Sequence, residues 1–160
     1  MSPLLASKLY KPLGHNEIRI AEIRSASSEH EDLHCHLIHV PRDNPEEYQA
    51  LSYAWGPPHE RGLGQIYLEG TPHPVTRTME IALRKLRRTS GEPPLMLWID
   101  ALCINQGDDE EKCEQVEKMR TIYQRAREVA IWLGPEDWSH AKQSCLETSY
   151  YLYLSYNRLY

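Results

Sequence analysis

Two short stretches of this chain concentrate residue types that do chemistry. The first is Ser52-Tyr53-Ala54-Trp55-Gly56; the second begins at Asp100, runs through Cys103-Ile104-Asn105-Gln106 and leads to Glu111. Together they offer a hydroxyl, an aromatic plate, two carboxylates and an amide pair, a set suited to holding a sugar or a nucleotide. Asp100 and Glu111, the carboxylates of the set, are the candidate catalytic groups. Ser52, Tyr53, Trp55, Cys103, Asn105 and Gln106 are the candidate ligand-holding groups. A plainer reading stands beside each of these. Asp100 caps a turn, Asn105 and Asp108 are ordinary turn and cap residues, Trp55 and Trp98 fill the core, and Cys103 is a small buried hydrophobe.

Other chemistry is poorly supported. His34, Cys35, His36 and His39 invite a metal reading, but on a strand His34 and His36 share one face while Cys35 and His39 share the other. Four such ligands do not converge tetrahedrally, so no metal is expected. Ser52 lacks the GxSxG context of a hydrolase elbow. The eight glycines are scattered, with neither GxGxxG nor GxxxxGK[ST] among them.

The elements that must position the two stretches follow from periodicity. Residues 17–23 (EIRIAEI) and 33–40 (LHCHLIHV) alternate and flank a polar loop, which predicts an antiparallel pair. Residues 48–53 (YQALSY) form a third strand. A short strand at 65–69, a Glu69-Gly70 turn and the segment around Val75 make a smaller hairpin at the sheet edge. Thr76 or Thr78 caps a helix with Met79, Ala82, Leu83 and Leu86 at helical spacing, ended by Gly91 and Pro93-Pro94. Residues 95–99 (LMLWI) form an uninterrupted apolar run, as expected of a strand buried on both faces. A helix over 109–126 carries Val116, Met119, Ile122, Tyr123 and Ala126 as its apolar stripe, with Asp108 as cap and Glu110 and Glu111 at its positive end. Residues 129–133 (VAIWL) make another buried strand, stopped by Gly134-Pro135. A further helix is expected over 139–148, and the Tyr-rich end from residue 150 carries no assignable pattern.

Strand, helix, strand, helix, strand in the centre implies parallel crossovers with helices covering the sheet. Ligands then sit beyond the carboxyl ends of the strands, where both chemical stretches fall. The expected fold class is α/β, with a parallel-sheet, three-layer core and N-terminal β-hairpin additions. Residues 1–47 form an N-terminal β segment packed on the domain, 48–148 the core, and 149–160 an irregular tail.

Bulk composition narrows the function. The 160 residues suffice for one domain with a real core. A net charge of −5 argues against a nucleic-acid binder, which shows a basic face. No run approaches the roughly 18 apolar residues of a membrane helix. Four cysteines without a CxxC pair fit a reduced, cytoplasmic chain.

The two stretches also carry a resemblance. Tyr48-Gln49-Ala50-Leu51-Ser52-Tyr53-Ala54-Trp55-Gly56 resembles the first signature block of fungal heterokaryon-incompatibility (HET) domains. Trp98-Ile99-Asp100-Ala101-Leu102-Cys103-Ile104-Asn105-Gln106 resembles the second, continuing through Asp108, Glu111, Gln115-Val116, Met119, Ile122-Tyr123, Ala126 and residues 129–134. Tyr10-Lys11-Pro12-Leu13 and Glu17-Ile18-Arg19 are similar to what precedes such domains. HET domains are distantly similar to TIR domains, so the resemblance implies a flavodoxin-like sheet. It implies either of two functions. One is a self/non-self recognition and cell-death module acting through self-association or a protein partner. The other is a TIR-type glycohydrolase that takes NAD as substrate. HET proteins are often much longer, so a truncated, inactive fragment is a third expectation.

Overall fold

The computed structural model describes residues 9–43, 48–55, 61–132 and 151–154, with 61–62 and 151–154 as backbone. The elements with assigned bounds among these residues are eight strands and three helices. In chain order they are β1 (Glu17–Ile23), β2 (His34–Pro41), β3 (Gln49–Tyr53), β4 (Arg61–Leu68), β5 (Thr71–Thr76), α1 (Arg77–Leu86), β6 (Leu95–Trp98), α2 (Asp100–Cys103), α3 (Asp109–Arg125), β7 (Glu128–Trp132) and β8 (Tyr151–Leu154). All eight strands join one sheet in the order β5-β4-β2-β1-β6-β3-β7-β8.

The fold is α/β, but the sheet is mixed rather than parallel. β3 pairs in parallel with both β6 and β7, and β2 pairs in parallel with β4. The remaining pairs, β1–β2, β1–β6, β4–β5 and β7–β8, are antiparallel. The N-terminal pair is no addition to the outside. β1 lies in mid-sheet, and Ala21, Glu22 and Ile23 face Leu97, Met96 and Leu95 of β6. Its composition explains the place. Ile18, Ile20, Ala21 and Ile23 are wholly buried and Arg19 is 1% exposed, so both faces of β1 are covered. A strand apolar on both faces suits a position inside a covered sheet.

The β4–β5 hairpin occupies one edge. Glu69 and Gly70 both take positive φ (51° and 72°), as the tightest hairpin turns require. Pro72 and Pro74 fit β5 because an edge strand has one side without ladder partners. α1 starts directly from β5, capped by Thr76, whose hydroxyl accepts a hydrogen bond from the Met79 amide at 3.2 Å. Gly64 lets the two elements close up: a Cβ there would meet the Thr76 carbonyl at 2.9 Å and Glu80 Cβ at 3.0 Å. The nearly buried Glu80 is flanked by Arg77 and Arg84, each at 2.9 Å.

The α3 stripe is displaced from the expected one. Ile122 is buried, and Met119, Tyr123 and Ala126 pack on the core, but Val116 is 53% exposed and Gln115 is buried instead. At about 100° per residue, the direction shared by 119, 122 and 126 passes close to 115 and well away from 116. The Tyr-rich end is partly regular, since Tyr151–Leu154 extends the sheet beside β7. The helix expected over 139–148 and the stops at Gly56-Pro57-Pro58 and Gly134-Pro135 lie outside the described residues. Among the described residues no helix is long and apolar enough to cross a membrane.

Candidate functional site

β3 and β6 are parallel neighbours, with Gln49 opposite Leu97 and Ala50 opposite Trp98. Their carboxyl ends therefore point the same way, and the two chemical stretches meet there. The joint is direct: the Trp55 indole N–H donates to Asp100 Oδ2 at 3.0 Å, across 45 residues of sequence. Asp100 opens the short helix α2, and its Oδ1 accepts from the Ala101 amide at 2.7 Å. Both carboxylate oxygens thus face neutral donors. Burial pushes the Asp100 carboxyl above its ordinary range, and the hydrogen bonds from Trp55 and Ala101 only partly oppose it. The Gln106 side-chain amide donates to the Asp100 carbonyl at 2.9 Å, tying the end of the second stretch to its beginning.

Beside this joint lies a cavity of about 190 Å³ lined by Tyr53, Trp55, His73–Thr76, Met79, Ala101 and Leu102. Its walls come from distant parts of the sheet. β5 stands five positions from β3, about 24 Å in a flat sheet at the usual strand spacing. One cavity shared by His73 and Tyr53 requires the sheet to curl strongly, bringing its hairpin edge over the ends of β3 and β6. The Tyr53 hydroxyl reaches Met79 Sδ at 3.4 Å, and burial raises its pKa. His73 is 9% exposed, and burial lowers its pKa, so its imidazole is neutral at neutral pH. Nothing in the sequence pattern singles out His73. Its one local signal is a lone histidine between two prolines.

Glu111 has a different environment. Its Oε1 accepts from Arg19 Nη1 at 2.5 Å and from the Asn105 amide at 2.8 Å, and its Oε2 accepts from Arg19 Nη2 at 2.8 Å. This is a bidentate guanidinium–carboxylate pair. Arg19 also donates to the carbonyls of Lys11 at 2.5 Å and Cys103 at 3.3 Å, and its guanidinium lies 5.1 Å from the Tyr10 ring centre. One buried arginine on β1 therefore holds together the lead-in around residues 10–13, the loop after α2 and the first turn of α3. Asp108 caps that turn, accepting from the Glu110 and Glu111 amides at 3.1 Å each. A second, more open cavity of about 430 Å³ lies outside the pair, lined by Tyr10, Asn105, Asp108, Glu110, Glu111 and Glu114 among others.

The other predicted site residues divide between these surroundings. Cys103 is 1% exposed; its Sγ accepts from the Ile99 amide at 3.4 Å, and burial holds the thiol up at about 12. It carries no thiolate at neutral pH. Ser52 is half-buried on β3 opposite Ile131 of β7. Asn105 accepts from the Gly107 amide at 3.2 Å through its side-chain oxygen, as a turn residue does. Trp98 is core, edge-on to Tyr123 with ring centres 5.3 Å apart. On β2, Cys35 is buried, His34 stacks on Tyr67, and His36 and His39 turn to Glu69 and Glu17.

Comparison with known proteins identifies the pattern. The family model for Heterokaryon incompatibility protein (HET) matches residues 48–156. A Neurospora crassa protein, Heterokaryon incompatibility protein 6, OR allele, is 40% identical over 127 residues, which cover 74% of this chain and 19% of that relative. The chain thus spans about a fifth of its relative's length. No solved structure matches. The matched family region contains both stretches joined by Trp55 and Asp100, and the chain belongs to the heterokaryon-incompatibility (HET) family.

Proposed function

We propose that this chain is a self/non-self recognition and cell-death signalling module of the incompatibility type, acting inside the cell through self-association or a protein partner. Family membership supports the class of function. The observation that carries the reading to a place on the molecule is the Trp55–Asp100 hydrogen bond, which joins the two signature blocks beside a cavity. Expression of the chain in a filamentous fungus tests it. The expected outcome is death of hyphal compartments with the wild type and none with Trp55→Phe or Asp100→Asn at equal levels of folded protein. Killing by both variants at the wild-type level would refute the role of this joint.

One observation favours a second reading, a TIR-type enzyme that cleaves NAD. The cavity lies at the carboxyl ends of parallel strands, where α/β sheets bind ligands, and Asp100 is a half-buried carboxyl beside it. The parallel trio β6-β3-β7 is the part of the sheet compatible with a flavodoxin- or TIR-like core. Here Asp100 is the better candidate for stabilising a ribosyl cation, because Glu111 already neutralises Arg19. Ser52, Asn105 and Gln106 would hold substrate hydroxyls. Purified protein that consumes NAD, with turnover lost in Asp100→Asn and kept in a Glu117→Gln control on the exposed side of α3, supports the enzyme; a folded protein without turnover supports the adaptor.

A further inference from the structure

His73 belongs to neither signature block. It comes from β5, the outermost strand of the hairpin edge, and the curl of the sheet carries it to the cavity beside Trp55. His73 is 9% exposed and lines the cavity, and its ring makes no hydrogen bond among the described residues. Its ring nitrogens are not among the side-chain atoms sealed from solvent without a partner, so they are within reach of a polar group that enters. The neutral imidazole offers one N–H donor and one nitrogen acceptor.

The remaining walls describe the occupant's shape. Tyr53 and Trp55 supply aromatic surface, Val75 and Leu102 aliphatic surface, and Met79 a polarisable thioether. The Trp55 N–H is already used by Asp100, and the Tyr53 hydroxyl is directed to Met79. His73 and the Thr76 hydroxyl, which accepts from the Met79 amide, are the side-chain polar groups left, and of the two only His73 offers both a ring donor and a ring acceptor. A volume of about 190 Å³ falls below the roughly 300–1,000 Å³ of sites for whole drug-sized molecules. It suits one ring system, not a complete dinucleotide.

We infer that this cavity is a slot for a single uncharged nitrogen heteroaromatic ring, and that His73 is its specificity-determining residue, reading a ring nitrogen or an adjacent amine or amide. The slot does not depend on bond cleavage. It would serve a recognition module as a small-molecule trigger site as readily as it would serve an enzyme.

Titration of the full 160-residue chain with adenine, nicotinamide and benzene, followed by the imidazole nitrogen resonances of His73, tests this. Adenine or nicotinamide should shift those resonances and bind at least about tenfold more tightly than benzene, since a site built to hydrogen-bond a ligand rejects an analogue lacking the group. His73→Leu should remove that preference while leaving benzene affinity unchanged, and Ala101→Leu should weaken all three by filling the slot. Adenosine binding more tightly than adenine would identify the ring as part of a nucleoside; equal affinity would identify the free base. Unperturbed His73 resonances with both heteroaromatic probes would overturn the inference, as would a His73→Leu protein that keeps the tenfold preference. The wild-type titration decides alone if the variants fail to fold. Ring binding without NAD consumption would remove the cleavage reading and leave the slot standing.

Discussion

Asp100 and Glu111 lie eleven residues apart in one family block, yet their surroundings differ in kind. Glu111 is held by both terminal nitrogens of the buried Arg19 and by a backbone amide. Asp100 is held by an indole and a backbone amide, both neutral, and burial disfavours its charge. A carboxylate paired with a buried guanidinium is needed to keep that charge buried. A carboxylate left with neutral donors beside a cavity is free to serve a ligand or to orient Trp55. The comparison separates a group that fixes the fold from a group that serves the site, although both are acidic residues in the same motif.

The largest effect should come from breaking the first environment. Glu111→Gln leaves the guanidinium of Arg19, itself 1% exposed, without its counter-charge, and should cost about 3–5 kcal/mol. Urea denaturation measures this, and an undiminished midpoint would show that the pair is not structural. Removing the aromatic face of the site comes next. Trp55→Phe loses the hydrogen bond to Asp100 and should cost about 1 kcal/mol, well below Glu111→Gln in the same assay.

Asp100→Asn should be smaller still at neutral pH, and its sign should depend on pH. The folded-state pKa of Asp100 lies above the ordinary 3.8. Protonated Asp100 therefore favours the folded state below that value, and this contribution is lost as pH rises through the raised folded-state pKa. The stability of Asp100→Asn relative to wild type should increase from acid to neutral pH. A relative stability that falls over that range would mean that the Asp100 charge is stabilised, erasing the contrast with Glu111. Smallest of all, Val116→Ser on the exposed side of α3 should change stability by no more than about 0.5 kcal/mol. A larger loss would restore the stripe expected from the sequence.

Local signals are readable in the sequence to the extent that local physics decides them. The Asp108 cap, the Thr76 cap, the apolar run of β6 and the turn at Glu69-Gly70 each depend on residues within a few positions, and each stands where pattern reasoning places it. The meeting of the two blocks follows from a single topological expectation, that β3 and β6 are parallel neighbours. What escapes depends on partners far away in the chain. Arg19 reads as the polar step of an alternating strand; only β6 and α3 arriving beside β1 make it a buried hub. His73 reads as an edge-strand residue until the curl carries it over β3. β1 reads as an outer addition because its antiparallel pairing with β2 is visible in sequence and its pairing with β6 is not. Val116 reads as part of the apolar stripe, but the helix is turned by one residue, and Gln115, a polar residue, takes the buried position.

The most direct test of the account is the folded fraction and killing activity of Asp100→Asn and Glu111→Gln, measured side by side in the same fungal host. The account predicts an Asp100→Asn protein that is folded and does not kill, and a Glu111→Gln protein that loses activity in proportion to its loss of folded material. A folded Glu111→Gln protein that does not kill, beside an Asp100→Asn protein that does, would contradict it and move the functional carboxylate to Glu111.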